Sequence, residues 1–311
     1  MPKRKHASEN KRAIEEEEEL EEFDIGDQGS PSSSDDDAFP SEEEHEDEES
    51  SEDDEDGEAF DSIDVDFLCV DPEEDDFHGL KTLLTNYLDG RQFSSSELVE
   101  AITANPASSV IKCGEDDDAI GVASVLQLSQ HNNAEFLAEI KDFVKQHCPK
   151  GMEIAEKLNA AFASPSTALL ISERLLNCPP QLAPPLMESL IQEADDMAKE
   201  NGSKINQYVF ITRAYADSTS TAAAPITAGE GSSKSKKNKK SKKEKNSAVS
   251  DLIFATPEGE FLANKASIAF SFAVPNRAVG KDDLLPHRVV AVVPAKEFSG
   301  ALKEMRAVVG G

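Results

Sequence analysis

The sequence is poor in aromatic residues, in cysteine and in long apolar runs. It has no tryptophan, three tyrosines and four cysteines in 311 residues. No apolar run approaches the length of a membrane-spanning helix, and the segment that follows the first five residues is polar and becomes strongly acidic rather than apolar. We therefore expect neither a membrane protein nor a secreted one.

The four cysteines are scattered, and no two of them form a C-x-x-C pair. Scattered cysteines in a chain of this length are typical of reduced, mostly buried side chains rather than of a disulfide framework. The residues concerned are Cys69, Cys113, Cys148 and Cys178.

Catalytic signatures are also missing. The sequence contains no G-x-x-x-x-G-K-[ST] phosphate loop, no H-E-x-x-H zinc motif and no G-x-S-x-G nucleophile elbow. His147 and Cys148 are adjacent, but they lack companion ligands at metal-binding spacing and Pro149 follows, so we interpret them as a helix end. Residues 116–118 are aspartates that suit either a divalent cation or a solvated hairpin turn. We predict a protein without catalytic residues, cofactor or metal.

Acidic residues dominate what is present, and the formal net charge is -31. By composition, roughly -21 of this charge lies in the first fifth of the chain, from about 26 acids and about five bases. Residues 1–59 therefore repel themselves and offer too few apolar groups to offset the entropy of ordering, which predicts a disordered acidic tail. The remaining chain is acidic as well, so we expect it to repel nucleic acid and to attract basic proteins.

Three serines of the acidic tail each precede an acidic residue by three positions, a spacing that suits acid-directed kinases. These candidate phosphorylation sites are Ser34, Ser41 and Ser51. Unmodified serines in a flexible segment are the alternative.

A polar segment at about residues 218–249 interrupts the patterned core. Eight lysines lie in its second half, between residues 234 and 245. It has no core-forming face, which predicts a disordered loop. Together with basic residues near the N-terminus it suits binding to an acidic nuclear-import receptor; a solubilising loop, or one that binds nucleic acid without specificity, is the alternative. The import candidates are Lys3, Arg4, Lys5, Lys11, Arg12, Lys236, Lys237, Lys239, Lys240, Lys242 and Lys243.

The remaining sequence alternates between strand and helix patterns. Strands are predicted over residues 60–67, 109–112, 119–128, 167–176, 207–216, 251–254, 267–274 and 287–293. Helices are predicted over residues 76–88, 95–105, 152–162, 185–200 and 295–309, with Ser95 as a possible cap of the second. A further helix carries the apolar residues of the range 136–144 and stops before Pro149. This order predicts a single three-layer α+β domain over residues 60–311, with a mostly antiparallel sheet and helices on both faces.

Several short motifs from Phe60 onward resemble the BCCIP family. They include Ser109-Val110-Ile111-Lys112, the run of residues 252–266, and the following motif residues: Phe60, Asp61, Ser62, Ile63, Asp64, Val65, Phe67, Ser172, Glu173, Arg174, Pro179, Pro180 and Gln181.

The resemblance implies a nuclear protein, with or without shuttling to the cytoplasm. It implies a fold similar to GCN5-type acetyltransferases without their activity, and a chaperone or transport role toward a basic large-subunit ribosomal protein. Nuclear import and export receptors are further implied partners. A scaffold role toward DNA-repair and cell-cycle regulators is the alternative, and acetyl transfer is a less favoured one.

Residues 176–185 argue against acetyl transfer. Acetyltransferases of this fold bind the coenzyme A pyrophosphate on backbone N–H groups at a glycine-containing turn between a central strand and a helix. The corresponding turn here has no glycine and four prolines, each of which lacks an N–H donor. We therefore expect coenzyme A to give no heat in calorimetry.

Overall fold

An eight-stranded sheet forms the centre of the described chain. The computed structural model describes residues 65–217, 249, 251–275 and 283–310. The strands are β1 (Leu68–Val70), β2 (Ser108–Lys112), β3 (Gly121–Gln127), β4 (Thr167–Arg174), β5 (Gln207–Ala216), β6 (Leu252–Phe254), β7 (Ile268–Ala273) and β8 (Leu285–Pro294). The α-helices are α1 (Phe77–Leu84), α2 (Ser95–Thr103), α3 (Glu135–His147), α4 (Met152–Ala163), α5 (Ala183–Glu200), α6 (Pro257–Lys265) and α7 (Ala295–Val309). Short 3-10 turns lie at Glu74–Asp76, Leu128–Gln130 and Pro180–Leu182.

The strands neighbour one another in the order β1-β2-β3-β4-β5-β8-β7. All neighbours are antiparallel except β4 and β5, and α5 makes the crossover that a parallel pair requires. β4 and β5 pair only from Thr167 opposite Gln207 to Leu170 opposite Phe210. Because β8 pairs along the other edge of β5, β6 joins β5 on the side of β4, beyond the point where those two strands separate. The sheet therefore has an opening between the C-terminal ends of β4 and β5.

The core lies on both faces of the sheet. Every residue of β2, β3 and β4 is buried, and successive side chains of a strand point to opposite faces. Leu169 and Ile171 pack with helices α1 to α4 in one cluster. Ala168 and Leu170 pack with α5, α6 and α7 in the other. Burial on both faces explains why β4 is a continuous apolar run in the sequence.

The predicted α+β class and mostly antiparallel sheet with helices on both faces are confirmed. The hairpin of β2 and β3, the helices α3, α4, α5 and α7, and the strands β4 to β8 all lie where the sequence pattern places them, within a few residues. No helix in the described ranges is long and apolar enough to cross a bilayer.

The first predicted strand is displaced toward the C-terminus. Residues 65–67 have no strand structure, β1 begins at Leu68, and residues 60–64 lie outside the described ranges. The physical reason is that β2 ends at Lys112, opposite Leu68, so the residues before Leu68 have no strand beside them there. The helix predicted over residues 76–88 ends at Leu84 and continues as turns.

Two further predictions need correction, and one helix was missed. Ser95 does not cap α2, because Ser95 is the first residue of the helix and Ser94 holds the cap position, where its side chain makes no capping hydrogen bond. Helix α6 was not predicted. Of the four cysteines, all free, Cys178 is buried and Cys148 is half-buried, whereas Cys69 and Cys113 are exposed because they lie on the edge strand and at the β2–β3 turn.

Candidate functional site

Two acidic segments meet at one end of the sheet. β1 pairs with β2 so that Leu68 lies opposite Lys112. After β1 the chain turns at Pro72 and returns through a 3-10 turn to Asp76, whose carboxylate contacts the Lys112 ammonium at 2.7 Å. We call residues 71–76 together with residues 112–118 the acidic patch.

Lys112 is the single basic residue of the acidic patch, and it is buried. Its hydrogen bond to Asp76 raises the pKa of the Lys112 ammonium above its ordinary value, and Glu73 and Asp116 add to this effect while burial opposes it. The ammonium also lies 3.5 Å from the Glu115 carbonyl. Lys112 thus ties the two segments together, with its charge already matched by Asp76.

The other carboxylates of the acidic patch have no such partner. Five acids in residues 71–76 and four in residues 112–118, against one lysine, give a formal charge of -8. All except Asp76 are exposed, and within the described ranges none of them forms an ion pair. These eight are Asp71, Glu73, Glu74, Asp75, Glu115, Asp116, Asp117 and Asp118. They create a negative potential that attracts polycations and that salt weakens.

Neither of the two candidate metal positions is supported. Among the described residues, no three His, Cys, Asp or Glu side chains are arranged to hold a metal ion. The Asp117 N–H bonds the Gly114 carbonyl at 3.2 Å, as in a turn. The His147 Nδ1 lies 2.9 Å from the Phe143 carbonyl and its ring stacks on Phe272 at 4.1 Å, at the end of α3.

Ser172 and Arg174 lie on one face of β4, at the opening between β4 and β5. Both bond the fully buried Glu258 of α6: the Ser172 hydroxyl and the Arg174 Nη2 each donate to its carboxylate at 2.8 Å. The next residue, Gly259, lies so close to β5 that an added Cβ would be 2.8 Å from the Thr212 Oγ1. Helix α6 therefore fills one side of the opening with the protein's own residues.

Glu173 points to the opposite face and is bound by two arginines. Arg213 Nη2 lies 2.9 Å and Arg288 Nη1 3.4 Å from its carboxylate oxygens. Burial raises the pKa of the Glu173 carboxyl, and the two guanidinium groups act in the opposite direction. Arg213 also donates to the Arg174 carbonyl at 2.9 Å. A cavity of about 520 Å³ opens beside these residues, but its charged side chains already have partners, since Glu173 binds Arg213 and Arg288 and Arg174 binds Glu258.

Arg288 extends these contacts to the turns that follow α1. We call the connected residues the buried network: Asp89, Ser172, Glu173, Arg174, Arg213, Glu258 and Arg288. Its Nε donates to the Asp89 carboxylate at 2.6 Å, and its Nη2 donates to the Asn86 carbonyl. Asp89 has a φ of 57°, in the left-handed region, and Gly90 follows at 80°. This backbone conformation is uncommon outside glycine, and the bond to Arg288 stabilises it.

The turn of residues 176–185 offers few free donors to a phosphate. The Cys178 N–H donates to the Leu175 carbonyl just before the turn, and the N–H groups of Leu182 and Ala183 donate to carbonyls within it. The four prolines have no N–H. Two of those prolines stand in the first turn of α5, where a helix otherwise presents free N–H groups.

The structure brings together only some of the residues singled out from the sequence. Ser172, Glu173 and Arg174 join the buried network, and Pro179, Pro180 and Gln181 form the turn before α5. The acidic tail, most of the lysine-rich segment, the import and phosphorylation candidates and residues 60–64 lie outside the described ranges. Sequence reasoning missed the network partners Asp89, Glu258 and Arg288, and it missed Asp76 as the partner of Lys112. Charged residues inside apolar strands were the available signal, but they do not reveal their partners.

Comparison with known proteins agrees with the sequence motifs that resemble the BCCIP family. A cattle protein named BRCA2 and CDKN1A-interacting protein is 26% identical over 79% of this chain and 83% of its own length. An Arabidopsis thaliana protein named Protein BCCIP homolog is 25% identical over 77% of this chain and 72% of its own length. The crystal structure of BCP1 from Saccharomyces cerevisiae has a similar fold, with a TM-score of 0.54 at 18% identity over 82% of this chain and 93% of that one.

The family model named BCCIP matches residues 62–262, which include both segments of the acidic patch, the buried network except Arg288, and the first six residues of α6. The chain belongs to the BCCIP family.

Proposed function

We propose that the protein is a non-enzymatic nuclear chaperone or transport adaptor that binds and shields a basic large-subunit ribosomal protein, in support of ribosome biogenesis and nuclear export. The acidic patch carries this proposal. It presents eight exposed, unpaired carboxylates from two segments that Lys112 and Asp76 tie together. A cationic protein surface gains complementary charge there, and the sequence of residues 1–59 adds more charge of the same sign.

The proposal of a non-enzymatic role is supported by two features of the interior. An acetyltransferase of the GCN5 type would need N–H donors for the coenzyme A phosphates before α5, and residues 176–185 provide few. It would also need free space at the opening of the sheet, and Glu258 and Gly259 lie there. The cattle relative is named for interactions rather than for catalysis. Titration with acetyl-coenzyme A in a calorimeter should give no heat; saturable micromolar binding would contradict the proposal.

Charge reversal in the acidic patch tests the proposed surface. The variant Asp116→Lys with Asp118→Lys should lose about tenfold or more in affinity for a basic ribosomal protein, because it removes attraction and adds repulsion at two exposed positions. The control Glu193→Lys with Glu200→Lys makes the same charge change at exposed positions of α5 and should leave the affinity close to that of the wild type.

A pulldown at low and at physiological salt tests the kind of partner. Enrichment of one basic ribosomal protein, weakened by salt, is the expected result. If no positively charged ribosomal component binds at physiological ionic strength, the chaperone proposal fails. Recovery of repair and cell-cycle factors without ribosomal proteins would favour the scaffold alternative, to which the printed name of the cattle relative points.

The proposed nuclear localisation rests on the lysine and arginine clusters. A fluorescent fusion without residues 3–12 and 234–245 should fill the cytoplasm, whereas unchanged nuclear accumulation would contradict the import assignment.

Deletion of residues 1–59 should reduce client binding most at low salt, where long-range attraction is strongest. Phosphate groups on Ser34, Ser41 and Ser51 would strengthen that attraction by adding negative charge.

A further inference from the structure

β1 is a terminal strand of the sheet. Within the described ranges it pairs with β2 and with no other strand. Cys69 is exposed, and Val70 is 40% exposed. Because successive strand residues point to opposite faces of the sheet, both faces of β1 are partly exposed. An edge of this kind presents main-chain groups that can pair with another strand.

The hydrogen bonds of β2 show which groups of β1 face outward. The Ile120 N–H donates to the Ile111 carbonyl at 2.8 Å, so the backbone groups of Ile111 point toward β3. Backbone groups alternate in direction along a strand, so the residues on either side of Ile111 point toward β1 and pair with Leu68 and Val70. The N–H and the carbonyl of Cys69 therefore point away from β2, toward the open edge.

The charge around this edge selects its partner. Asp66 and Asp71 are exposed at the two ends of β1, and the acidic patch begins at Asp71. A second copy of this chain would bring like charges together, which is unfavourable for pairing of two such edges. An extended segment with lysine or arginine at alternate positions would instead gain main-chain bonds and opposite charges together.

We infer that the open edge of β1 binds an extended, lysine- or arginine-rich segment of the basic client as an added strand. The Cys69 N–H and carbonyl pair with that segment, and Asp66, Asp71 and the acidic patch bind its cationic side chains. This inference rests on the proposed function and gives it a binding mode: main-chain pairing fixes the register, and the carboxylates select the charge.

A proline at position 69 tests the main-chain contact. Proline removes the outward N–H of residue 69 but leaves the pairing of Leu68 and Val70 with β2, and edge strands tolerate proline where the N–H faces solvent. The control Cys69→Val keeps the N–H. The probes are a peptide of alternating lysine and valine and one of alternating lysine and proline, which has the same charge but cannot form a ladder.

Cys69→Pro should lower the affinity for the lysine–valine peptide by up to about tenfold, as expected for the loss of one main-chain hydrogen bond. The affinity for the lysine–proline peptide should stay unchanged. Cys69→Val should bind both peptides as the wild type does. A measurement on the unmodified protein avoids any folding defect of the proline variant: hydrogen exchange at the Cys69 amide should slow when the lysine–valine peptide binds.

Equal affinities of Cys69→Pro and Cys69→Val for the lysine–valine peptide, with no added protection at Cys69, would overturn the inference. The proposed function would survive that result if the double variant Asp116→Lys with Asp118→Lys still had lower affinity for both peptides than the wild type. If neither peptide bound the wild type at low salt, the inference and the proposed function would fail together.

Discussion

Removal of the Glu258 carboxylate should destabilise the protein more than any surface substitution. Glu258 is fully buried and accepts hydrogen bonds from Ser172 and Arg174, both at 2.8 Å. Arg174 is buried as well, and its Nη1 already has no partner among the described residues. In the variant Glu258→Met the Arg174 charge is left buried and unpaired, which costs about 3–5 kcal/mol in comparable cases.

The cost of leaving one buried charge unpaired differs from the net contribution of the Glu258–Arg174 pair to the free energy of unfolding. A loss of this size corresponds to a fall in Tm of about 10 °C for a domain of this length. The double variant Glu258→Met with Arg174→Met removes both charges, and such replacements are often close to neutral. We expect the double variant to be at least about 2 kcal/mol more stable than the sum of the two single losses predicts, a coupling typical of residues in contact.

Urea denaturation followed by circular dichroism measures all four proteins of this cycle. A loss below about 1 kcal/mol for Glu258→Met, or additive losses in the double variant, would refute the claim that Glu258 and Arg174 stabilise the opening of the sheet as a buried pair. Client binding provides a second readout. Because the pair is buried, affinity for a basic protein well below the Tm should stay unchanged in every variant of the cycle.

Two further predictions concern stability. Burial lowers the pKa of His287 from its ordinary value of 6.5; the unfolded chain therefore binds a proton more readily, so the free energy of unfolding should fall as the pH drops from about 7 to about 5. The substitution His287→Leu should flatten this dependence in urea denaturation, and the same change at the exposed His78 should not. Gly259→Ala should cost about 1–3 kcal/mol because its Cβ would lie 2.8 Å from Thr212 Oγ1. Gly300→Ala in α7 meets nothing within 4 Å and should gain up to about 1 kcal/mol; equal effects of the two alanines would contradict the close approach of α6 and β5.

Local patterns were sufficient to predict most elements of the fold. The acidic turn between two β-branched runs predicted the β2–β3 hairpin, and the uninterrupted apolar run predicted β4 as a strand buried on both faces. The period of apolar residues predicted α7 with its observed bounds, Ala295–Val309. Helix α6 escaped prediction because its sequence, Pro257–Lys265, has too few apolar residues to show a helical period.

Pairings between distant residues could not be predicted in this way. Glu258 and Arg174 are 84 positions apart, and Arg288 and Asp89 are 199 apart. No local pattern indicates which buried acid will meet which arginine, because that depends on where the two strands separate in space. The same holds for the acidic patch, since residues 115–118 were recognisable as an acidic turn but their proximity to residues 71–76 depends on the contact of Lys112 with Asp76.

Under the proposed function, stability and recognition depend on charges at different residues of this fold. In the buried network the three acids Asp89, Glu173 and Glu258 are bound by three arginines, so the formal charges cancel and add little to the field outside the protein. The charge of the acidic patch is exposed and mostly uncompensated, so it contributes directly to that field. Substitutions in the network should therefore change the Tm without changing client affinity, and charge reversal in the acidic patch should do the opposite. If both quantities changed together in either set, the strands between them would be transmitting a structural change, and recognition by a preformed surface would no longer explain binding.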